Sequence, residues 1–430
     1  MCPLVNSAAK TTSADIVGKA TGGTDAKAEA EAAEAIPLHR WPPRALYIHI
    51  PFCAGKCPYC DFNSYVAEGQ PVDRYLDALE REMELTARQF PPAPLRSVFV
   101  GGGTPTVLSP KQLARLLEAV RSHFPLEPGA EITVEANPGS TDPAKLEALR
   151  EGGVNRISFG AQTFDDRLLK AIGRIHAAGE IARSIREARA AGFRNLSIDL
   201  MFGLPGQRVQ DWQDSLSRAL ELDLPHYSAY SLKVEENTLF HRLYERGELV
   251  LPEEDEEIEM YEILMERMAE AGRSQYEISN FALPGAESRH NAVYWKNEPY
   301  FGLGAGAHSY VFGERHMNVK GVLPYVESAR RGFPRADTCR VTAREAEEDF
   351  MMLGLRMLRG VRDADFAAQF GAGKTIADRF GGTLERLIRQ GLLERVPEGG
   401  FRLTKKGILL GNEVFGSFLD AQAGQNVVEY

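Results

Sequence analysis

From residue 45 onward the chain repeats one pattern: a β-branched or aromatic run, a polar or glycine-rich loop, then a stretch whose apolar residues recur every three or four positions. The runs ALYIHI (45–50), SVFV (97–100), EITVE (131–135), RISFGA (156–161), LSIDLM (196–201) and HYSAYS (226–231) read as strands. Between them DRYLDALEREMELTARQ, KQLARLLEAVRSHF, AKLEALREG, the pair around DDRLLKAI and EIARSIREARAAG, and DWQDSLSRALEL read as amphipathic helices. Six strand-helix units predict an α/β fold whose parallel sheet is joined by right-handed crossovers. Six is too few for a closed eight-stranded barrel, so an open or partial (β/α)6 barrel is expected. Its chemistry should gather at the carboxyl ends of the strands.

The flanks read differently. Residues 1–40 hold ten alanines, the alternation EAEAAEA and no aromatic residue, a composition expected of a disordered tail. The core is expected over 41–270, ending in the acidic helix EEDEEIEMYEILMERMAEAG, and 271–339 reads as a connecting segment. Over 340–430 two helical stretches and a two-stranded wing (LLERVPEGGFRLT) suggest a winged-helix-like domain. That domain carries 13 Lys+Arg against 13 Asp+Glu, and the whole chain 50 against 60 for a net charge of −10, so nucleic acid is not expected as a partner. No run approaches the roughly 18 apolar residues of a membrane span, and the first residues lack the apolar stretch of a secretory signal. A cytoplasmic protein is expected.

Five cysteines stand at 2, 53, 57, 60 and 339, too few and too unevenly spread for a disulfide framework; Cys2 and Cys339 read as incidental thiols. Cys53, Cys57 and Cys60 share one loop just after the first strand, where three soft thiolates can converge on one inorganic centre. A zinc ion completed by a distant histidine is the competing reading, although structural zinc usually draws paired ligands from two segments. With LYIHIPFCAGKCPYCDFNSY around it, C-x₃-C-x₂-C resembles the radical S-adenosylmethionine (SAM) superfamily, and within it the coproporphyrinogen dehydrogenase and HemW branch. The resemblance runs from about Leu46 to the last helix.

It implies a [4Fe–4S] cluster on the three cysteines, with one iron left open to chelate SAM, and an electron donor whose electron releases a 5′-deoxyadenosyl radical. It further implies SAM contacts at Tyr47 and Tyr59 beside the cluster, and at Gly102, Gly103 and Thr104 of the loop after the second strand. Glu135 would accept from ribose hydroxyls, and Gln162, Arg174 and Asp199 match further SAM-contacting positions. Glycines in the second loop would let backbone amides approach a ligand. Asp199 lies between Ile198 and Leu200 and, if buried, needs a partner; SAM and Arg174 are both available.

Within the branch two functions compete. One is oxygen-independent coproporphyrinogen III dehydrogenase, which oxidatively decarboxylates two propionates. The other is a heme chaperone that keeps the cluster and SAM but delivers heme to respiratory proteins, with peripheral contact at a membrane surface and a homodimer among its implied properties. The dehydrogenases carry a further cysteine two residues after the third cluster cysteine, where this chain has Phe62, and they are longer before the first strand. His290-Asn291-Ala292-Val293-Tyr294-Trp295 matches the H-N-x-x-Y-W motif of the HemW heme chaperones, to which the chain is most similar. There an imidazole could ligate heme iron while Tyr294 and Trp295 offer flat faces to the porphyrin. On the residues alone, the aromatics could equally anchor a core and His290 cap a turn. His308, in GAGAHS, is a secondary candidate whose Gly/Ala setting is equally a sign of close backbone packing.

Overall fold

The computed structural model describes residues 36–90 and 93–419. Each of the six apolar runs lies in a strand: β1 (Ala45–Ile50), β2 (Leu95–Gly102), β3 (Leu126–Ala136), β4 (Arg156–Gln162), β5 (Asn195–Phe202) and β6 (His226–Ser231). All six pair in parallel in sequence order. Every residue of β4 is buried, as expected of a central strand covered on both faces. The crossover helices include α1 (Val72–Gln89) and α2 (Pro110–His123). The second opens on a capping box in which Ser109 and Gln112 exchange bonds ahead of Pro110, satisfying amides that the first turn cannot pair.

The sheet does not stop at six strands. Beyond the acidic helix, β7 (Ser274–Glu277) and β8 (Asn280–Ala282) add antiparallel to β6. Past α3 (Arg289–Trp295), β9 (Phe301–Leu303) pairs in parallel with β1 on the opposite edge, Leu46 against Phe301. Among the described residues this makes one nine-stranded sheet, β9-β1-β2-β3-β4-β5-β6-β8-β7. A core ended at 270 therefore omits both edges: the segment expected only to connect covers the open hydrogen-bonding groups of a sheet that six strands leave bare. It then forms a sheet of its own from β10 (His308–Val311), β11 (Glu314–Asn318) and β12 (Arg335–Arg340), with α4 (Val322–Arg331) between the last two.

One buried carboxylate ties these pieces together. Glu82 of α1 accepts from Tyr325 of α4 at 2.5 Å, Asn318 at 2.6 Å and the Gly304 amide at 2.9 Å. Burial raises its pKa to about 7 against those three donors.

The C-terminal domain packs α5 (Ala343–Gly354), α6 (Asp363–Phe370) and α7 (Ile376–Arg389) around a second core. The expected wing is the hairpin β14 (Leu393–Arg395) and β15 (Gly400–Leu403), with β13 (Val361–Arg362) as a third strand. Tyr310 of β10 belongs to this core, and so do Ile36 and Leu38. The tail expected over 1–40 lies outside the described residues except for 36–40, which are not tail: Pro37–Arg40 forms a 3₁₀ turn with Leu38 buried.

Candidate functional site

The cysteine loop leaves β1 and is held by the neighbouring strand ends. Cys53, Cys57 and Cys60 are half-buried free thiols; Cys339, read from sequence as incidental, is disulfide-bonded. Thr104 donates its hydroxyl to Cys53 Sγ at 3.7 Å, and Arg174 reaches Cys57 Sγ at 3.8 Å. Burial pushes the Cys53 and Cys60 thiols up, so their thiolates call for a cationic partner. Among the described residues no three His, Cys, Asp or Glu side chains are placed to hold a single metal ion. A four-iron cube makes a different demand, since each thiolate meets its own iron.

The glycine loop after β2 is locked to that loop by its own amides. Gly103 N–H donates to Ile50 O at 2.9 Å, Thr104 N–H to Phe52 O at 2.7 Å, and Gly102 N–H to the Glu135 carboxylate at 3.0 Å. A Cβ at Gly102, where φ is 108°, would overlap the His49 ring, and one at Gly103 would fall 2.6 Å from Phe52 O. The glycines thus serve close packing of backbone and ring. Their amides, expected to approach a ligand, are instead bonded within the protein.

Around this lie the other expected SAM positions. The Tyr47 hydroxyl is 2.9 Å from His49 Nδ1, and His49 Nε2 is 2.8 Å from Asn63 O. Tyr59 packs against Phe240. Burial and the neighbouring Asp199 charge raise Glu135 to about 7. Asp199 accepts from Ser158 at 3.0 Å, from Ser228 and from Tyr230, with Arg156 and Arg174 adding favourable charge; burial still raises its pKa. Arg174 itself donates to Asn137 Oδ1 and to Gly160 O at 2.6 Å. Gln162 closes β4 at φ 67°, a left-handed conformation rare for a side-chain-bearing residue, and its buried Oε1 has no partner among the described residues.

Sequence reasoning missed three residues of this network. His49 is a lone imidazole in an apolar strand, and Asn137, in Glu-Ala-Asn-Pro, bonds both Thr104 at 2.9 Å and Arg174. Tyr230 at the end of β6 hydrogen-bonds Asp199. The first two carried a visible signal, a polar residue at or just past a strand end.

The H-N-x-x-Y-W segment forms α3, and the structure divides it. Glu131 receives the Arg289 and His290 amides at the helix start, each at 3.1 Å, neutralising the positive end. His290 is 1% exposed. Its Nδ1 is 3.0 Å from Ser97 Oγ, its Nε2 2.9 Å from the Tyr294 hydroxyl, and its ring stacks on Phe99 at 5.2 Å. Both ring nitrogens are therefore engaged inside the protein, and burial drives the imidazole's pKa down to about 3. Neither His290 nor Asn291 reaches the large cavity, whereas Tyr294 and Trp295 line it.

That cavity, of about 660 Å³, lies between the strand ends and the later segments. Tyr47, Cys60, Gly102 and Glu135 contribute one side; Tyr300, His308, Arg315 and Leu353 contribute the other. Its size is typical of sites that enclose a small molecule, roughly 300–1,000 Å³.

Comparison with known proteins agrees with this architecture. Residues 47–219 match the model of the radical SAM superfamily, and 341–410 that of the HemN C-terminal domain. The chain is 49% identical to Heme chaperone HemW of Bacillus subtilis (strain 168), over 87% of this chain and 99% of that one. It is 36% identical to Heme chaperone HemW of Escherichia coli (strain K12), over 88% and 98%. The solved structure of coproporphyrinogen III oxidase (HemN) from Escherichia coli, 26% identical, superposes with a TM-score of 0.77 over 91% of this chain and 93% of that one. With a radical SAM core, a HemN-type C-terminal domain and near-complete coverage of relatives this similar, the chain belongs to the HemW family of the radical SAM superfamily.

Proposed function

We propose that the chain is a heme chaperone: it holds a [4Fe–4S] cluster on Cys53, Cys57 and Cys60, binds SAM along the strand ends, and carries heme in the adjoining cavity for delivery to respiratory-chain proteins. The observation that carries this reading is the 49% identity over nearly all of a protein named Heme chaperone HemW, against 26% for the oxidase of the same fold. Phe62 supports it. Where the dehydrogenases place a further cysteine, this chain puts a large apolar ring, 62% exposed, on the cavity wall.

The donor set fits the cluster: three free, half-buried thiols on one loop, with Arg174 beside Cys57 to offset negative charge. When bound, the cluster and SAM supply one-electron chemistry. The chain's own residues position and shield. Thr104 and Arg174 orient two of the thiolates, the glycine loop would receive the amino group of SAM, and Glu135 would accept from its ribose. Tyr47, stacked on Phe99, would cover the adenine side. Tyr294 and Trp295 give the cavity flat apolar walls for a porphyrin.

The test uses anaerobically reconstituted protein. One heme should bind per chain, and no protoporphyrinogen should form from coproporphyrinogen III with SAM and a reductant. Sustained turnover of that substrate would reverse the assignment in favour of the dehydrogenase.

A further inference from the structure

His290 has no ring nitrogen to give, yet the cavity has another imidazole. His308 starts β10 and lines the cavity, and its buried Nδ1 has no hydrogen-bond partner among the described residues. Its close packing is also real: a Cβ at Gly302 would overlap the His308 carbonyl, so the backbone of the histidine is fixed while its ring stays uncommitted. His49 and His290 engage both ring nitrogens inside the protein; His308 is half-buried, its unpaired Nδ1 is matched by that of His176, and what sets it apart is its place on the cavity lining. Burial and the nearby Lys320 and Arg315 lower its pKa to about 4, so the ring is neutral and can offer a lone pair.

A second observation comes from the same wall. Arg315 of β11 is 9% exposed and lines the cavity; its Nη2 pairs with Asp349 at 2.7 Å, but its Nη1 is buried with no partner among the described residues. The guanidinium lies over the Tyr310 ring at 5.0 Å, and the Tyr310 hydroxyl is also buried and unpaired. Trp295 Nε1 is a third such donor. Unpaired donors along one wall ask for an acceptor, and a carboxylate is one that a guanidinium receives well; Lys320 shares this lining, while Asp61, Glu135, Glu236 and Glu298 stand elsewhere on it. A flat apolar ligand bearing carboxylates and a metal that takes imidazole answers all of these groups together.

We propose that His308, rather than His290, is the protein's ligand to heme iron, and that the Arg315 side of the cavity receives a propionate. The assignment rests on the heme-binding reading above and names the seat within it. His290 then holds α3 against β2, which sets Tyr294 and Trp295 on the wall.

The test adds ferric heme to cluster-loaded protein with the cluster oxidised, and follows the ferric iron by electron paramagnetic resonance alongside binding titration. Wild type should show an imidazole-ligated ferric heme. His308→Ala should lose that signature and bind about tenfold or more weaker, and added imidazole should restore the signature. His290→Gln, checked for folding by circular dichroism, should keep it. Unchanged ligation and affinity in His308→Ala would overturn the proposal, and so would loss of the signature in folded His290→Gln. Failure of the wild type to bind heme at all is a separate result: it removes the chaperone reading itself, and the ligand assignment with it.

Discussion

The two walls of the large cavity treat their polar groups in opposite ways. On the strand-end wall Tyr47 bonds His49, His49 bonds Asn63, and Glu135 holds the Gly102 amide; the next layer, Thr104, Asn137 and Arg174, is linked in series. On the facing wall His308 Nδ1, Tyr310 Oη, Arg315 Nη1 and Trp295 Nε1 are all buried without partners among the described residues. An interlinked wall is already organised and suits a resident cofactor whose reactive atoms must be held still. Unpaired groups, each costing about 1–3 kcal/mol when left unsatisfied, suit a wall whose ligand comes and goes. On the function proposed above, the contrast separates a cofactor side from a cargo side of one cavity.

The strongest way to break that division is to destroy one wall's cofactor. Cys57 does not line the cavity, and Arg174 and the Gly173 carbonyl are its contacts. Cys57→Ala should abolish the cluster outright, measured as loss of bound iron, acid-labile sulfide and the broad absorbance near 400 nm. Heme affinity should change by no more than about threefold if the walls are separable. Equal loss of both would mean that the cavity is a single cooperative site.

A smaller effect is expected behind the second wall. His290 is enclosed by Ser97, Tyr294 and Phe99, so His290→Ala removes two buried hydrogen bonds and a stacked ring, and leaves a void. Stability should fall by roughly 2–4 kcal/mol in chemical denaturation. Should the variant instead be as stable as wild type, the imidazole is no packing element, and an iron ligand that swings outward becomes the better description of it.

These residues also show what could be read from sequence and what could not. The six strands were legible because each is a run long enough for its apolar pattern to exceed chance, and the three cysteines of the first loop stand out as candidate cluster ligands because their spacing is local. Neither advantage extends to β8 and β9, three residues apiece, whose place on the sheet edges comes from long-range pairing rather than from pattern. The cysteine loop needed no partner to be recognised, but the glycine loop did: only its contacts with Ile50, Phe52 and His49 reveal that its amides are committed. For the H-N-x-x-Y-W motif the limit was orientation. Positions 290 and 294 share a helix face, which permits their mutual hydrogen bond, but which way that face points depends on Ser97 and Phe99, nearly two hundred residues earlier. His308 stood out no more than any histidine in a glycine-rich stretch, because an unpaired nitrogen is a property of the assembled wall.

The mildest test uses pH on the strand-end wall. Glu135 titrates at about 7 in the folded protein against an ordinary value of 4.5, because it is buried and faces Asp199. The folded state therefore keeps this proton to higher pH than the unfolded chain does, so the contribution to stability is present below about pH 4.5 and is lost as pH rises through about 7. Glu82, also at about 7, adds a decline of the same sign. Glu135→Gln should remove only its own share, leaving cofactor-free protein less pH-sensitive between pH 5 and 8 by about 1–2 kcal/mol. The measurement is a series of denaturation curves across that range for wild type and variant. Superimposable pH profiles would show that the carboxylate is already solvated in the empty site. The strand-end wall would then be no more committed than the wall opposite, and the division between the two would fail at its smallest predicted effect.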